Sequence, residues 1–414
     1  MQAGVAKREI TTEEKDVAVR DPLYAKALVL HDGATRAAIL ALDALAIGGI
    51  GDIGDDFLPQ LRARIEEELQ IPARNILVNA SHTHPPGRIL CESGELLDRT
   101  FDAVKSASET LLPVKVGAGA GREERVAMNR NLTLKNGRHW TIRHANPCPP
   151  DEEVVSIGPL DSEIGVLRVD RLDGTPLAVV YNFACHLLFG DPQNSVTANL
   201  PGVASQLIEE TLGHGALALF LQGAAGDVID VGFKNFDAPR DIEPLGLLLG
   251  RSTLQAARAV RTGEATLKII AETVELPRRT DIPARVAALR KEQSELLASL
   301  RGTTLNFKSF LPLYLQYSLH PRFPADYAHA YLQAEKRGDA APGAMDDFKR
   351  GLIEKYLANI GAMEKLARIE DEIATHERHQ AINDEAGEPN AGAEVLGLCI
   401  GDCAIISAPI ELLT

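Results

Sequence analysis

The sequence predicts an α/β protein of mixed β-sheets flanked by helices, with an inserted helical hairpin at 281–381. Three observations carry this expectation. Between residues 27 and 275, short apolar runs alternate with helical patterns and Gly/Pro turns. From 281 to 381 that texture gives way to long amphipathic helical periodicity, and strand texture returns at 395–407. One domain spanning 1–414, with 281–381 inserted into it, is the expected organisation.

Taken in order, apolar runs at 37–43, 76–80, 177–183 and 216–222 read as strands. Phe57, Leu61, Ile65 and Leu69 recur at helical spacing before Pro72. Val203, Leu207, Ile208 and Leu212 do the same between Pro201, at a helix start, and Gly213, past its end. Each of these helices follows a strand. In the insertion, Ile282, Val286, Leu289, Gln293, Leu296 and Leu300 mark one helix, and Phe348, Leu352, Tyr356, Ile360, Met363, Leu366 and Ile373 a second, longer one. Between them runs a Pro-interrupted aromatic stretch, from Phe310-Leu311-Pro312-Leu313-Tyr314 to Phe323-Pro324. It is expected to pack the helices onto the body, with a lid over a cleft as the alternative.

Composition narrows the function classes. With 45% hydrophobic residues the 414-residue chain can bury a large core. A net charge of -15 with no Lys/Arg cluster argues against nucleic acid as partner. No stretch reaches the ~20 apolar residues of a membrane span, and the N-terminal residues show no secretion signal. Five cysteines without a CxxC spacing predict no disulfide framework; a reduced compartment is the plain expectation, and export with a leader removed fits the same pattern.

The chemistry-bearing residues gather at strand ends. Asn79-Ala80-Ser81-His82-Thr83-His84-Pro85-Pro86-Gly87 closes the apolar run 75–80 with two histidines that can face one cavity where the strand meets a Pro-Gly turn. Residues 177–185 form a β-prone run that ends in His186, followed by a turn at Gly190-Asp191-Pro192. The run 216–222 empties into Gly223-Ala224-Ala225-Gly226-Asp227, where small residues permit close backbone approach beside a carboxylate. That loop lacks the spacing of a nucleotide-binding fingerprint. Singly, each motif has an ordinary structural explanation; together they describe a site of strand-end loops, with zinc as the metal that suits such histidines.

Five runs, in order, resemble the catalytic N-terminal domain of neutral/alkaline non-lysosomal ceramidases. They are Val5-Ala6-Lys7-Arg8-Glu9-Ile10-Thr11, then Asp21-Pro22-Leu23-Tyr24-Ala25 with Leu40-Ala41-Leu42-Asp43, then the His82-Thr83-His84, Asn182-Phe183-Ala184-Cys185-His186 and Leu221-Gln222-Gly223-Ala224-Ala225-Gly226-Asp227-Val228 runs. The resemblance covers 5–275 and resumes from Gly401-Asp402-Cys403-Ala404 to Glu411-Leu412. It implies a hydrolase of carbon–nitrogen bonds in which zinc is held by His82, His186 and Glu411, the last in Pro409-Ile410-Glu411. Two imidazoles and a carboxylate leave a position for a water that the metal acidifies. The same resemblance makes His84 the proton donor or acceptor beside the metal and Arg130, in Met128-Asn129-Arg130, the holder of the carbonyl or its developing charge. Asp43 and Asp227 are candidates for carboxylates that orient the ligand histidines.

The chain departs from the family in several places. Ile229 stands where the family has a serine after Gly-Asp-Val, so a serine mechanism is not expected. Pro85-Pro86 replace a serine-glycine, and Asn199 replaces an aspartate. The family's tyrosines after P-x-E, and its C-terminal immunoglobulin-like domain, would fall beyond Thr414. An aromatic content of 5% gives no support for a long apolar groove, which favours a smaller amide or ester as substrate. Two other readings stand beside this one: a true ceramidase acting on lipid-like sphingolipid amides, and a binding protein that keeps the scaffold without catalysis.

Overall fold

The structure is a computed structural model and describes residues 1–84, 88–142, 149–188, 195–232, 241–324 and 328–413. The turns expected at Pro85-Pro86-Gly87 and Gly190-Asp191-Pro192, and Cys148, lie outside the described residues. The chain divides into two compact units, Met1–Val274 with Ala393–Thr414, and Glu275–Gly392.

In chain order the first unit contains β1 (Gln2–Glu9), β2 (Tyr24–His31), β3 (Arg36–Leu42), α1 (Phe57–Leu69), β4 (Ile76–Ala80), α2 (Ser93–Glu109) and β5 (Leu112–Arg122). Short strands follow: β6 (Ala127–Asn129), β7 (Asn131–Leu134), β8 (His139–Thr141) and β9 (Val154–Ile157). Then come β10 (Glu163–Arg171), β11 (Pro176–Phe183), α3 (Asn199–Leu212), β12 (Leu217–Gln222), β13 (Val228–Asp230) and α4 (Glu243–Ala259). The last strands are β14 (Leu267–Pro277), which runs into the second unit, then β15 (Asn390–Ile400) and β16 (Cys403–Ser407).

Eight of these strands form one mixed sheet in the order β12-β11-β10-β5-β1-β2-β3-β4. Only two residue pairs, Gln2↔Pro113 and Ala3↔Leu112, join β1 to β5, so the sheet consists of two four-stranded halves. Each half has an outer face covered by helices. In β2, Ala25, Ala27 and Val29 pack with Leu61 and Ile65 of α1 and Phe101 of α2. The alternate residues Leu28 and Leu30 turn inward to a core shared with Leu167, Val180 and Leu219 of the other half. On β11, Val179, Tyr181 and Phe183 pack under Leu200, Ala204 and Leu249 of α3 and α4.

The helices form where the periodicity predicts. Phe57, Leu61 and Ile65 lie one turn apart on the buried side of α1. Helix α3 stops at Gly213, whose φ of 63° suits glycine. A buried ion pair ties α3 to the sheet: the Lys26 ammonium donates to Glu209 at 2.6 Å and to the Ala218 carbonyl at 2.9 Å. Helix α4 lies close on α3, because a Cβ on Gly246 would stand 2.5 Å from Val203 Cβ.

Each half ends in a parallel pair, β3 with β4 and β11 with β12, connected through α1 and α3. The strands β4 and β12 stand at opposite ends of the order, yet the Gln222 amide donates to Asn79 Oδ1 at 3.0 Å. The two strand ends that bear the motifs are thereby brought side by side.

Among the described residues the second unit holds four helices rather than the expected pair: α5 (Ile282–Ser299), α6 (Phe307–Leu319), α7 (Ala328–Lys336) and α8 (Ala341–Ala386). The aromatic stretch expected to be broken by proline is helical from Phe307 to Leu319, with Pro312 inside it. Phe310 and Tyr317 pack with Ile353 of α8, which outweighs the local cost of the proline. No helix among the described residues is long and apolar enough to cross a membrane.

Candidate metal centre

Strand β4 ends at Ala80, and the next two amides are held by the neighbouring chain: Ser81 N–H donates to the Leu42 carbonyl and His82 N–H to the Ala44 carbonyl, both at 2.9 Å. His82 takes a φ of 66°, in the left-handed region, which costs a non-glycine residue about 1–3 kcal/mol. The two histidines therefore do not share a continuous strand. They meet because the kink at His82 redirects the chain, after which Thr83 bridges to Leu187 and its hydroxyl donates to the Thr197 carbonyl at 2.9 Å.

His186 lies three residues beyond the end of β11 and is held by its N–H to the Val228 carbonyl at 2.9 Å. The rings of His82, His84 and His186 converge, and their ligand atoms lie within 4.8 Å of one another. His82 Nε2 stands 2.9 Å from His186 Nε2 and 3.0 Å from His84 Nε2.

The opposite nitrogens define the tautomers. His82 Nδ1 faces the Leu45 carbonyl at 2.7 Å and His186 Nδ1 the Ala225 carbonyl at 2.8 Å, so each carries its proton there. Both Nε2 lone pairs then point at each other, an arrangement that calls for a cation or a proton between them. Zinc–nitrogen bonds of about 2.0–2.1 Å in a tetrahedron place ligand nitrogens about 3.3 Å apart. The separations in this cluster are close to that spacing, so the donor set fits a metal of zinc's kind.

Electrostatics keep His84 and His186 neutral. Burial first, then His82, His186 and the Arg130 guanidinium, pushes the His84 pKa down to about 3. Burial, with His82 and Arg130, takes His186 down to about 4 against the opposing hydrogen bond to Ala225. Arg130 reaches this position by donating from Nε and Nη2 to the Gly226 carbonyl at 3.2 and 2.5 Å.

The remaining expected residues are placed as follows. Glu411 Oε1 stands 3.3 Å from His186 Nδ1, on the edge of the ring away from the Nε2 cluster. Asp43 accepts the Tyr24 N–H at 2.9 Å, and burial, against the Lys26 ammonium, pushes its carboxyl up to about 6. Asp227 accepts from Asn129 Nδ2 at 2.9 Å, and its carbonyl takes the Arg130 N–H at 2.7 Å. The groups that orient His82 and His186 are therefore the carbonyls of Leu45 and Ala225, where carboxylates were expected. Any residue type can supply a carbonyl, so no side chain in the sequence signals them.

The small-residue loop approaches the segment that carries Glu411. Gly226 N–H donates to the Leu412 carbonyl at 2.8 Å, and a Cβ on Gly226 would stand 2.8 Å from Leu413 Cδ2. Ile229 is fully buried with Ile142 and Met128 and bridges to His186. Beside the cluster opens a cavity of about 1220 Å³, with His82, Asn79, Asn182, Leu221, Ile405 and Glu411 in its wall.

No family model matches the chain, and no curated protein matches it by sequence. Solved structures do. The neutral ceramidase from Pseudomonas aeruginosa aligns at 18% identity with a TM-score of 0.51, over 68% of this chain and 49% of that one. A ceramidase complexed with C2 aligns at 18% identity and a TM-score of 0.51, over 68% and 48%. The chain thus spans about half the length of the ceramidase structures it matches. Over the aligned part, this α/β chain has the fold of the neutral ceramidases.

Proposed function

We propose that the chain is a zinc-dependent hydrolase of carbon–nitrogen bonds, acting on an N-acyl amide at the His82/His84/His186 cluster. The observation that carries this reading is the meeting of three Nε2 atoms from two strand ends beside a large cavity. The chemistry that zinc would supply in such a donor set is polarisation of a carbonyl and a water whose pKa is brought toward neutrality.

His82 and His186 would hold the ion, since each has its far nitrogen anchored by a carbonyl and its Nε2 free to donate a lone pair. Glu411, the expected third ligand, lies against the Nδ1 edge of His186 and outside the three-histidine group, so in this structure it meets a ligand histidine and not the position of the ion. His84 would move the proton: its Nε2 faces the cluster and, among the described residues, its Nδ1 has no hydrogen-bond partner, so a proton taken up at Nε2 can be released from Nδ1. Arg130, fixed on the Gly226 carbonyl, directs positive charge toward the same place and steadies negative charge on the reacting carbonyl.

The cavity bears on the substrate. Its volume of about 1220 Å³ exceeds the ~300–1,000 Å³ common for small-molecule pockets, which is more room than a small polar amide needs. Its wall mixes Asn79, Asn182 and Glu163 with Leu77, Val180 and Leu221, a lining for a substrate with an apolar chain and a polar head. The ceramidase names of the structural neighbours support an N-acyl amide of this kind. The test is turnover of a panel of N-acyl amides, including a fluorescent short-chain ceramide, with and without chelator. Hydrolysis abolished by chelator and restored by zinc supports the reading; unchanged hydrolysis in excess chelator overturns it.

A further inference from the structure

The three motif-bearing segments meet on one side chain, that of Gln222 at the end of β12. Its Nε2 donates to the Ser81 carbonyl at 3.1 Å and to the Cys185 carbonyl at 2.8 Å. Its Oε1 accepts from the Cys185 N–H at 3.2 Å and the Gly223 N–H at 3.1 Å. Its own N–H donates to Asn79 Oδ1 at 3.0 Å. Ser81 and Cys185 immediately precede His82 and His186.

Both protons and one acceptor position of the Gln222 amide are thus used on the backbone that delivers the two histidines, and the other acceptor position takes the Gly223 N–H. The strands β4 and β11 belong to different halves of the sheet and have no hydrogen-bonded ladder between them. Their alignment at the cluster therefore depends on short bridges, and Gln222 reaches the residue before each histidine. His82 also sits in a strained left-handed conformation that its surroundings must enforce. A hydrocarbon side chain at position 222 would leave two buried carbonyls and two amides without these partners.

We infer that Gln222 is the positioning residue of the metal centre, setting the separation of the His82 and His186 Nε2 atoms by bonding the chain just before each. This inference rests on the metal reading of the same site. It extends that reading to a residue that acts on the ion through the two histidines and is not itself a ligand, and outer partners of metal ligands commonly contribute ~10–100-fold in affinity.

The test is the zinc affinity of the metal-free protein, measured by competition with a chromogenic chelator, for wild type, Gln222→Met and Gln222→Glu. Met keeps the length and removes every hydrogen bond of the side chain. Glu keeps an acceptor for the Cys185 and Gly223 amides but cannot donate to the Ser81 and Cys185 carbonyls, and it serves if the Met variant does not fold. Tyr181→Phe is the control for destabilisation alone, because the Tyr181 hydroxyl bonds the Pro201 carbonyl and Ser205, away from the cluster. The expected result is a zinc affinity at least tenfold weaker in the folded Gln222 variants and unchanged in Tyr181→Phe, whatever its melting temperature. Tight zinc binding by wild type with Gln222 variants within twofold of it would overturn the positioning role. No zinc binding by wild type would overturn the metal reading itself, and this inference with it.

Discussion

Replacing His186 by glutamine should remove a specific pH dependence from the stability of the metal-free protein. His186 is buried, and its pKa lies at about 4 against an ordinary 6.5. As pH falls through 6.5 the unfolded chain takes up this proton first, while the folded chain resists until about 4. Stability is therefore intact above the upper value, declines across the window and stops declining below the lower one. The gap corresponds to about 3 kcal/mol. Asp43 acts in the opposite sense over much of the same window, since its carboxyl is pushed up to about 6 from 3.8 and the folded chain binds that proton first. Asp43 is present in both proteins, so its effect cancels in their difference. The assay is urea denaturation of chelator-treated wild type and His186→Gln at pH 7.5 and pH 4.0. Wild type should lose about 3 kcal/mol more than the variant over that interval. Equal losses would refute a His186 held neutral by burial.

Other perturbations have equally definite outcomes. Glu209→Gln leaves the Lys26 ammonium buried beside a neutral group and should destabilise the fold by about 3–5 kcal/mol in the same denaturation assay; a change under 1 kcal/mol would show the pair to be solvated. Arg130→Ala removes a positive charge that opposes protonation of His84 and His186, so imidazole NMR titrations of the metal-free protein should show both midpoints rising. Unmoved midpoints would separate Arg130 from the cluster.

Much of the α/β body is legible along the chain because it rests on local patterns. The four apolar positions of 57–69 mark α1, and Pro201 with Gly213 brackets α3 nearly at its observed ends. The helices of the insertion appear at 282–300 and 348–373 for the same reason. Helix α6 was hidden by Pro312, a local breaker outweighed by the packing of Phe310 and Tyr317.

Strand order lies beyond periodicity, since the meeting of β4 with β12 depends on how the two half-sheets turn on each other. For the site, alternation in the His82-Thr83-His84 run was the visible signal. The route by which the rings converge, a left-handed residue at His82, leaves no mark on residue type. Asp43 illustrates the converse. It is a carboxylate near a motif in sequence, but its observed partner is the amide of Tyr24 on the neighbouring strand.

The central claim is that the convergent Nε2 atoms of His82 and His186 hold a metal ion. Elemental analysis of the purified protein, for wild type and His186→Ala in parallel, tests it most directly. The account predicts about one zinc per chain in wild type and its loss in the variant. An absence of metal in both, or an equal zinc content in both, would contradict it.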